Sequence, residues 1–264
     1  MSVIGHVLRN NYPIEASYRN GKIVQFHDYQ ELYNDLMELD ADPTRNLVYF
    51  NELKFHGGKT NGDIVNIFKN EEYSFLPVNG KEVIDVGANI GDSSIYFAMK
   101  GARSVIAIEP NKASYDFAVE NITINKCASN IKLILAACGS TDRDMSGQDL
   151  EFLTLETLIK KYCSCPEILK VDCEGCEYDF ILNASFDDLS RFSHIQIEYH
   201  FGYQNLKNKL EACGFEVIFT KPSFFIPTNK NRMTRSLIWS PSSGTIDKPR
   251  GMFIGWLYAS AKNT

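Results

Sequence analysis

The stretch VIDVGANIGDSS, Val83 to Ser94, decides the fold. Val83, Ile84 and Val86 make an apolar run of the kind found in a central strand of a parallel sheet, buried on both faces. The run breaks at Gly87, and Gly87 and Gly91 permit a tight turn with close backbone approach. Asp92, Ser93 and Ser94 then supply N-cap chemistry for a helix running through Ile95, Phe97, Ala98 and Met99. Strand, glycine turn and helix in this order make a cofactor-binding corner.

Which cofactor follows from charge. A dinucleotide fingerprint wants glycines at its first, third and sixth positions. Counted from Gly87, this chain places Asn89 and Asp92 at the last two. Asp92 would aim a carboxylate at a pyrophosphate on the helix N-terminus, where an anion should meet donors, so NAD and FAD are disfavoured. S-adenosylmethionine carries no phosphate, and its sulfonium is a cation that suits an acid-flanked turn. The next strand, SVIAIEP, ends in Glu109, whose carboxylate can accept both ribose hydroxyls. Asp85 and Glu109 then end neighbouring strands on one edge of the sheet.

From Glu82 onward strands and helices alternate. Strands are predicted near 82–86, 104–108, 131–136, 168–172 and 193–199, with helices near 92–100, 111–126, 154–162, 176–183 and 203–213. That order is a doubly wound α/β sheet. The helix carrying Leu206, Leu210 and Cys213 stops at Gly214, a natural left-handed cap, and FEVIFT resumes as a strand. The last strand is MFIGWLYASA. Between them, Lys221 to Arg250 exceeds the usual loop length and reads as a lid or substrate loop.

Five blocks in order, VIDVGANIGDSSIYFA, IAIEPN, ENITIN, ILKVDCEGCEYDFI and IQIEYH, resemble the FkbM family of methyltransferases over about Gly62 to Ala259. The resemblance implies the class I, Rossmann-like methyltransferase fold, mostly parallel with an antiparallel last strand. It also implies an S-adenosylmethionine-dependent enzyme methylating hydroxyl groups of sugars, polyketides and related small molecules. On this reading Asp85, Gly87, Ala88, Asn89 and Gly91 surround the methionine moiety, Glu109 with Pro110 holds the ribose, and Cys138 flanks the adenine. Asp172 borders the same site, and in the family's acidic pattern Asp172, Glu174 and Glu177 are the matching acids. There is no Asn-Pro-Pro-Tyr or Asp-Pro-Pro-Tyr block of the kind that grips a base amine; DCEG stands in its place, which sets amino-methylation of bases behind oxygen methylation.

An open α/β sheet binds its ligands at the carboxyl ends of the strands. There the acceptor hydroxyl must be aligned with the sulfonium and must lose its proton. His200, Glu198, Asp172 and Glu174 are the candidate catalytic residues. His200 has the intrinsic pKa for a general base, and it is equally readable as a strand-end histidine bonded to a neighbour. Glu177 is readable as a first-turn helix acid. These acids with His200 could also hold a hard divalent cation, but no spacing among them is diagnostic, so Mg2+ is not expected. Cys163, Cys165, Cys173 and Cys176 resemble a zinc set with too short a first spacing; small buried thiols are the expected outcome.

A chain of 264 residues that is 44% hydrophobic can bury a large core, and a net charge of −6 argues against a surface built for a phosphate backbone. Nucleic acid is therefore not an expected partner. A stretch containing Lys221, Lys230, Arg232 and Arg235 with Phe224 and Phe225 is the feature that would favour an RNA-modifying enzyme instead. A cofactor-binding module without catalysis is a further alternative. No apolar run reaches the roughly twenty residues of a bilayer span, and no secretory pattern opens the chain, so a cytoplasmic protein without membrane contact is expected. Seven cysteines scattered through the elements do not make a secreted disulfide framework. Residues 1–75 read as a small extension, with Asn20-Gly21 as a hairpin turn and a helix over Tyr29 to Leu39; residues 76–264 read as the catalytic domain. Oligomeric state is not readable.

Overall fold

The computed structural model describes residues 13–17, 23–27, 40–42, 47–57, 63–141, 143–144, 150–225 and 252–262. The chain divides into two compact units, Met1–Asn70 and Glu71–Thr264. In the first, β1 (Ile14–Ser17) pairs antiparallel with β2 (Ile23–Phe26). The Asn20-Gly21 turn and the helix expected over 29–39 lie outside the described residues. A second small sheet takes β3 (Asp40–Asp42), β4 (Leu47–Phe50) and β5 (Leu53–His56), followed by α1 (Asp63–Phe68). Val48 and Phe55 are fully buried, and Phe68 packs its ring against Phe50 and Phe55.

The second unit is built around one sheet. Its elements in chain order are β6 (Glu82–Val86), α2 (Asp92–Met99), β7 (Ser104–Glu109), α3 (Lys112–Ile124), β8 (Ile131–Cys138), β9 (Arg143–Asp144), β10 (Glu151–Leu153) and α4 (Leu155–Tyr162). There follow β11 (Pro166–Val171), α5 (Glu177–Leu182), α6 (Phe186–Leu189), β12 (His194–Tyr199), α7 (Gln204–Ala212), β13 (Phe215–Phe219), β14 (Ser223–Phe225) and β15 (Met252–Ala261). The sheet order is β13-β15-β12-β11-β6-β7-β8-β10-β9, with β14 on β15. Strands β12 through β8 are parallel, while β15 runs antiparallel between β12 and β13. This is the class I methyltransferase architecture.

Local chemistry explains the elements. Strand β6 is buried at all five positions, as a central parallel strand covered on both faces must be. Helix α3 begins where Pro110 fixes φ and Asn111 caps, its side-chain oxygen accepting from the N–H groups of Ala113 and Ser114. Helix α4 turns Leu155, Leu158 and Ile159 inward and leaves Glu156 and Lys160 in solvent. Ahead of β6, Tyr73 packs edge-on against Trp256 and beside Phe97, and Phe75 packs edge-on against Tyr258. Among the described residues no helix is long and apolar enough to cross a membrane.

The order of the sheet reverses at β6. Chain progress runs one way through β7 and β8 and the other way through β11 and β12. Such a switch point opens a crevice outside the carboxyl ends of the two diverging strands. The residues that follow those ends are Gly87 and Asp172.

Candidate active site

Two clusters of polar side chains flank that crevice. The first surrounds the glycine turn. Gly87 adopts φ 78°, and a Cβ there would lie 1.7 Å from the backbone oxygen of Asp172. Only glycine therefore fits between the ends of β6 and β11. The N–H groups of Gly87 and Ala88 both donate to the Ile108 carbonyl at 2.9 Å, tying the turn to β7. Asn89 sits at φ 47°, a left-handed conformation that asparagine tolerates better than most residues.

Asp85 is fully buried. Its Oδ2 accepts from the Ser93 and Ser94 hydroxyls at 2.7 and 2.6 Å, and its Oδ1 pairs with Lys170 Nζ at 3.0 Å. Of the N-cap chemistry expected of Asp92, Ser93 and Ser94, Asp92 keeps one first-turn bond, its Oδ1 accepting from Ser93 N–H at 2.9 Å, while both serine hydroxyls are drawn away. Gly91 is the N-cap without a side-chain bond, and the serines reach down to Asp85 because a buried carboxylate demands donors more strongly than an accessible helix end does. Lys170, 1% exposed, also donates to the carbonyls of Val86 and Gly87 at 3.3 and 2.8 Å and lies 5.8 Å from the Tyr73 ring centre. Burial pulls its pKa down, but the charges of Asp85 and Asp172 outweigh that and hold the ammonium well above the ordinary lysine range.

At the end of β7, Glu109 is 7% exposed. Its Oε2 accepts from Asn89 N–H at 2.8 Å and its Oε1 from Asn111 N–H at 2.7 Å. Burial raises its pKa and these two donors lower it, the balance remaining upward. Each oxygen keeps a lone pair beyond its backbone bond. Pro110 is exposed beside it. Cys138, placed beside the adenine by sequence, is buried in the hydrophobic core at the end of β8, where burial pushes its thiol far above the usual range.

The second cluster gathers at the ends of β11 and β12 around His200, which is 2% exposed. Its Nδ1 lies 3.0 Å from Glu177 Oε1, and its Nε2 faces Glu174 at 3.5 Å, Glu198 at 3.7 Å and Asp172 at 4.0 Å. Glu177 is fully buried, and its carboxylate also accepts from the N–H groups of His200 and Gly175. Asp172, Glu174 and Glu198, the three acids read as catalytic candidates beside this histidine, converge on it together with Glu177. Glu177, read from sequence as a helix-end acid, is the one that orients the ring.

The protonation states differ from those of the free side chains. Burial alone lowers the pKa of His200, but the hydrogen bond and charge of Glu177, with Glu174 and Asp172 behind it, raise it to about 10. Burial and the neighbouring Asp172 push Glu198 up to about 9. Both shifts favour the protonated form, an imidazolium at His200 and a neutral acid at Glu198. The intrinsic pKa that commended His200 as a general base does not survive its surroundings.

The loop carrying the acids is short and constrained. Cys173 and Cys176 form a disulfide, with Cα atoms 5.4 Å apart, across Glu174 at φ 56° and Gly175 at φ 116°. This corrects the expectation of thiols at both positions and removes two of the four sulfurs of the zinc reading; the left-handed turn between them brings them together. Cys163 and Cys165 are free thiols. Glu174, side chain 73% exposed, stands at the rim. Next to it Tyr178, Phe201, Tyr203, Pro222 and Phe253 line a hollow of about 310 Å³. Sequence reasoning missed this hollow and Lys170. A lysine inside the apolar run ILKV was the available signal, since lysine is almost never fully buried unpaired. Apart from exposed Lys221, the basic residues of the Lys221–Arg235 stretch lie outside the described residues.

Comparison with known proteins fits this geometry. A stretch of 76 residues is 37% identical to protein arginine N-methyltransferase 6 of Danio rerio, over 29% of this chain; the match spans a fifth of that relative's length. A solved Streptococcus mutans protein assigned as a SAM-dependent methyltransferase superposes with a TM-score of 0.50 at 11% identity, over 98% of this chain and 63% of that one, a likeness of fold. Methyltransferase FkbM from Methylobacillus flagellatus superposes with a TM-score of 0.46 at 17% identity, over 68% of this chain and 43% of that one. The methyltransferase FkbM domain model matches residues 85–217, half of the chain, from the buried acid of the turn through both clusters. The chain belongs to the FkbM methyltransferase domain family.

Proposed function

We propose that this protein transfers a methyl group from S-adenosylmethionine to a hydroxyl of a sugar, glycan or related small molecule. The observation that carries the reading is Glu109. Its carboxylate is pinned by two backbone N–H groups beside the Gly87 turn at the switch point of the sheet, with lone pairs left for a pair of vicinal hydroxyls. Asp92 in the first turn of the helix after it sets a carboxylate where a phosphate would need donors, so the turn suits a ligand without phosphate.

The acceptor would enter from the hollow beside Phe201, where exposed aromatic faces suit the apolar face of a sugar ring. Asp172 and Glu174 flank the imidazolium at the opening and are the groups that orient the acceptor hydroxyl and take its proton. Attack by that oxygen on the methyl carbon forms the new C–O bond as the bond to sulfur breaks, leaving S-adenosylhomocysteine. The surrounding carboxylates favour the sulfonium in the ground state, so the gain in rate must come from alignment and proton removal.

Calorimetric titration of S-adenosylhomocysteine into the wild type and Glu109→Ala tests the cofactor. The substitution removes a charged acceptor and is expected to cost about 1.5–3 kcal/mol, at least tenfold in affinity. Transfer of labelled methyl from S-adenosylmethionine to a panel of glycosides, compared with the same panel blocked at its hydroxyls, tests the acceptor. Folded wild-type protein that binds no S-adenosylhomocysteine would overturn the proposal.

A further inference from the structure

The acid cluster around His200 has the form of a metal-binding site. One ligand atom each from Asp172, Glu198 and His200 lie within 4.8 Å of one another. Bonds of roughly 2.0–2.3 Å place neighbouring ligand atoms roughly 3–3.5 Å apart and opposite ones roughly 4–4.5 Å apart, so the set spans the dimensions of one coordination sphere. The imidazole is arranged from behind. Buried Glu177 holds Nδ1 at 3.0 Å, which fixes the ring and turns Nε2 toward the carboxylates, where a bound cation takes the place of the Nε2 proton. From Nε2 those carboxylates stand 3.5–4.0 Å away, beyond a hydrogen bond of good geometry. The imidazole, 2% exposed, thus turns its Nε2 into a space lined by three carboxylates.

We infer that Asp172, Glu198 and His200 bind one divalent first-row transition ion such as Mn2+, with Glu177 as the positioning carboxylate behind the histidine. One imidazole with two carboxylates suits such an ion better than Mg2+ or Ca2+, which favour all-oxygen shells. Two of the three ligands are partly exposed, Asp172 at 26% and Glu198 at 23%, so the remaining positions of the ion open to the cleft. An acceptor oxygen held there would be polarised and its proton made easier to remove. That use of the ion rests on the hydroxyl-methylation proposed above; the site itself does not.

The test is titration of Mn2+ into metal-stripped full-length protein, followed by electron paramagnetic resonance of the free ion. One bound ion per chain is expected, with an imidazole nitrogen coupling in the spin-echo spectrum. Asp172→Asn and Glu198→Gln are each expected to weaken binding at least tenfold, and Glu177→Gln by roughly 10- to 100-fold. Circular dichroism confirms that each variant is folded. No bound Mn2+ at about millimolar concentration, or binding unchanged in both ligand variants, would overturn the inference. S-adenosylhomocysteine calorimetry on the same samples separates the two proposals: nucleoside binding without Mn2+ sinks the metal site alone, and Mn2+ binding without the nucleoside sinks methyl transfer alone.

Discussion

The two polar clusters at the switch point are only one strand-end apart, yet their electrostatics are opposite in character. Around the glycine turn Asp85 is answered from within the protein by Lys170 and two serines, and Glu109 by two backbone N–H groups. Around His200 four carboxylic acids share one histidine, and the mismatch shows as two strongly raised pKa values. A balanced cluster is stable as it stands and holds the turn in place. An over-supplied one is held by the fold at a cost, and it is where charge from a ligand would be stabilising.

The difference can be broken most sharply at Lys170. Lys170→Met leaves Asp85 buried without its cation and is expected to cost about 3–5 kcal/mol in urea unfolding. A cost near zero would mean that the turn is not held electrostatically.

The pH dependence of the unliganded protein probes the other cluster. His200 and Glu198 both have folded-state values above their unfolded ones, so the fold binds more protons than the unfolded chain. The Glu198 contribution is fully present below about pH 4.5 and that of His200 below about pH 6.5; both fade as pH rises through about 9 and about 10. The urea midpoint is therefore expected to fall steadily from pH 6.5 to 10, and His200→Gln should flatten the decline. A midpoint that rises over this range contradicts the assignment.

Glu198→Gln should reverse the usual sign of a buried substitution. It replaces an acid forced to hold its proton with a neutral isostere, and stability at pH 8 is expected to rise by about 1–2 kcal/mol. Thermal unfolding measures it, and a loss would show that the ionised form is what the fold requires. The smallest effect on stability is expected at Phe201, which is 46% exposed. Phe201→Ala should change unfolding by less than about 0.5 kcal/mol. The same variant should raise KM for a glycoside acceptor several-fold while leaving S-adenosylhomocysteine binding unchanged, which would separate the hollow from both clusters.

Much of this arrangement is legible in the chain's own residues. Strand β6, its glycine turn and Glu109 can be read because burial on both faces and a positive-φ turn are local demands written in consecutive residues. The convergence of Asp172, Glu174 and Glu198 on His200 follows from strand-end positions in an α/β sheet. Glu177 is undervalued by sequence because a first-turn acid has a local explanation, and nothing local reveals that its carboxylate reaches the end of another strand. The serines after Gly91 mislead for the same reason, since capping is a local rule that a buried acid overrides.

The sequence by itself determined the alternation of strands and helices, the site of the crevice and the family resemblance, because hydrophobic period and turn chemistry act over a few residues. Only the tertiary structure decided which charges meet. Lys170 beneath the turn, the disulfide across Glu174 and the raised pKa of His200 depend on β6, β11 and β12 lying side by side. The energies of such meetings depend on distance and burial, which no spacing along the chain encodes.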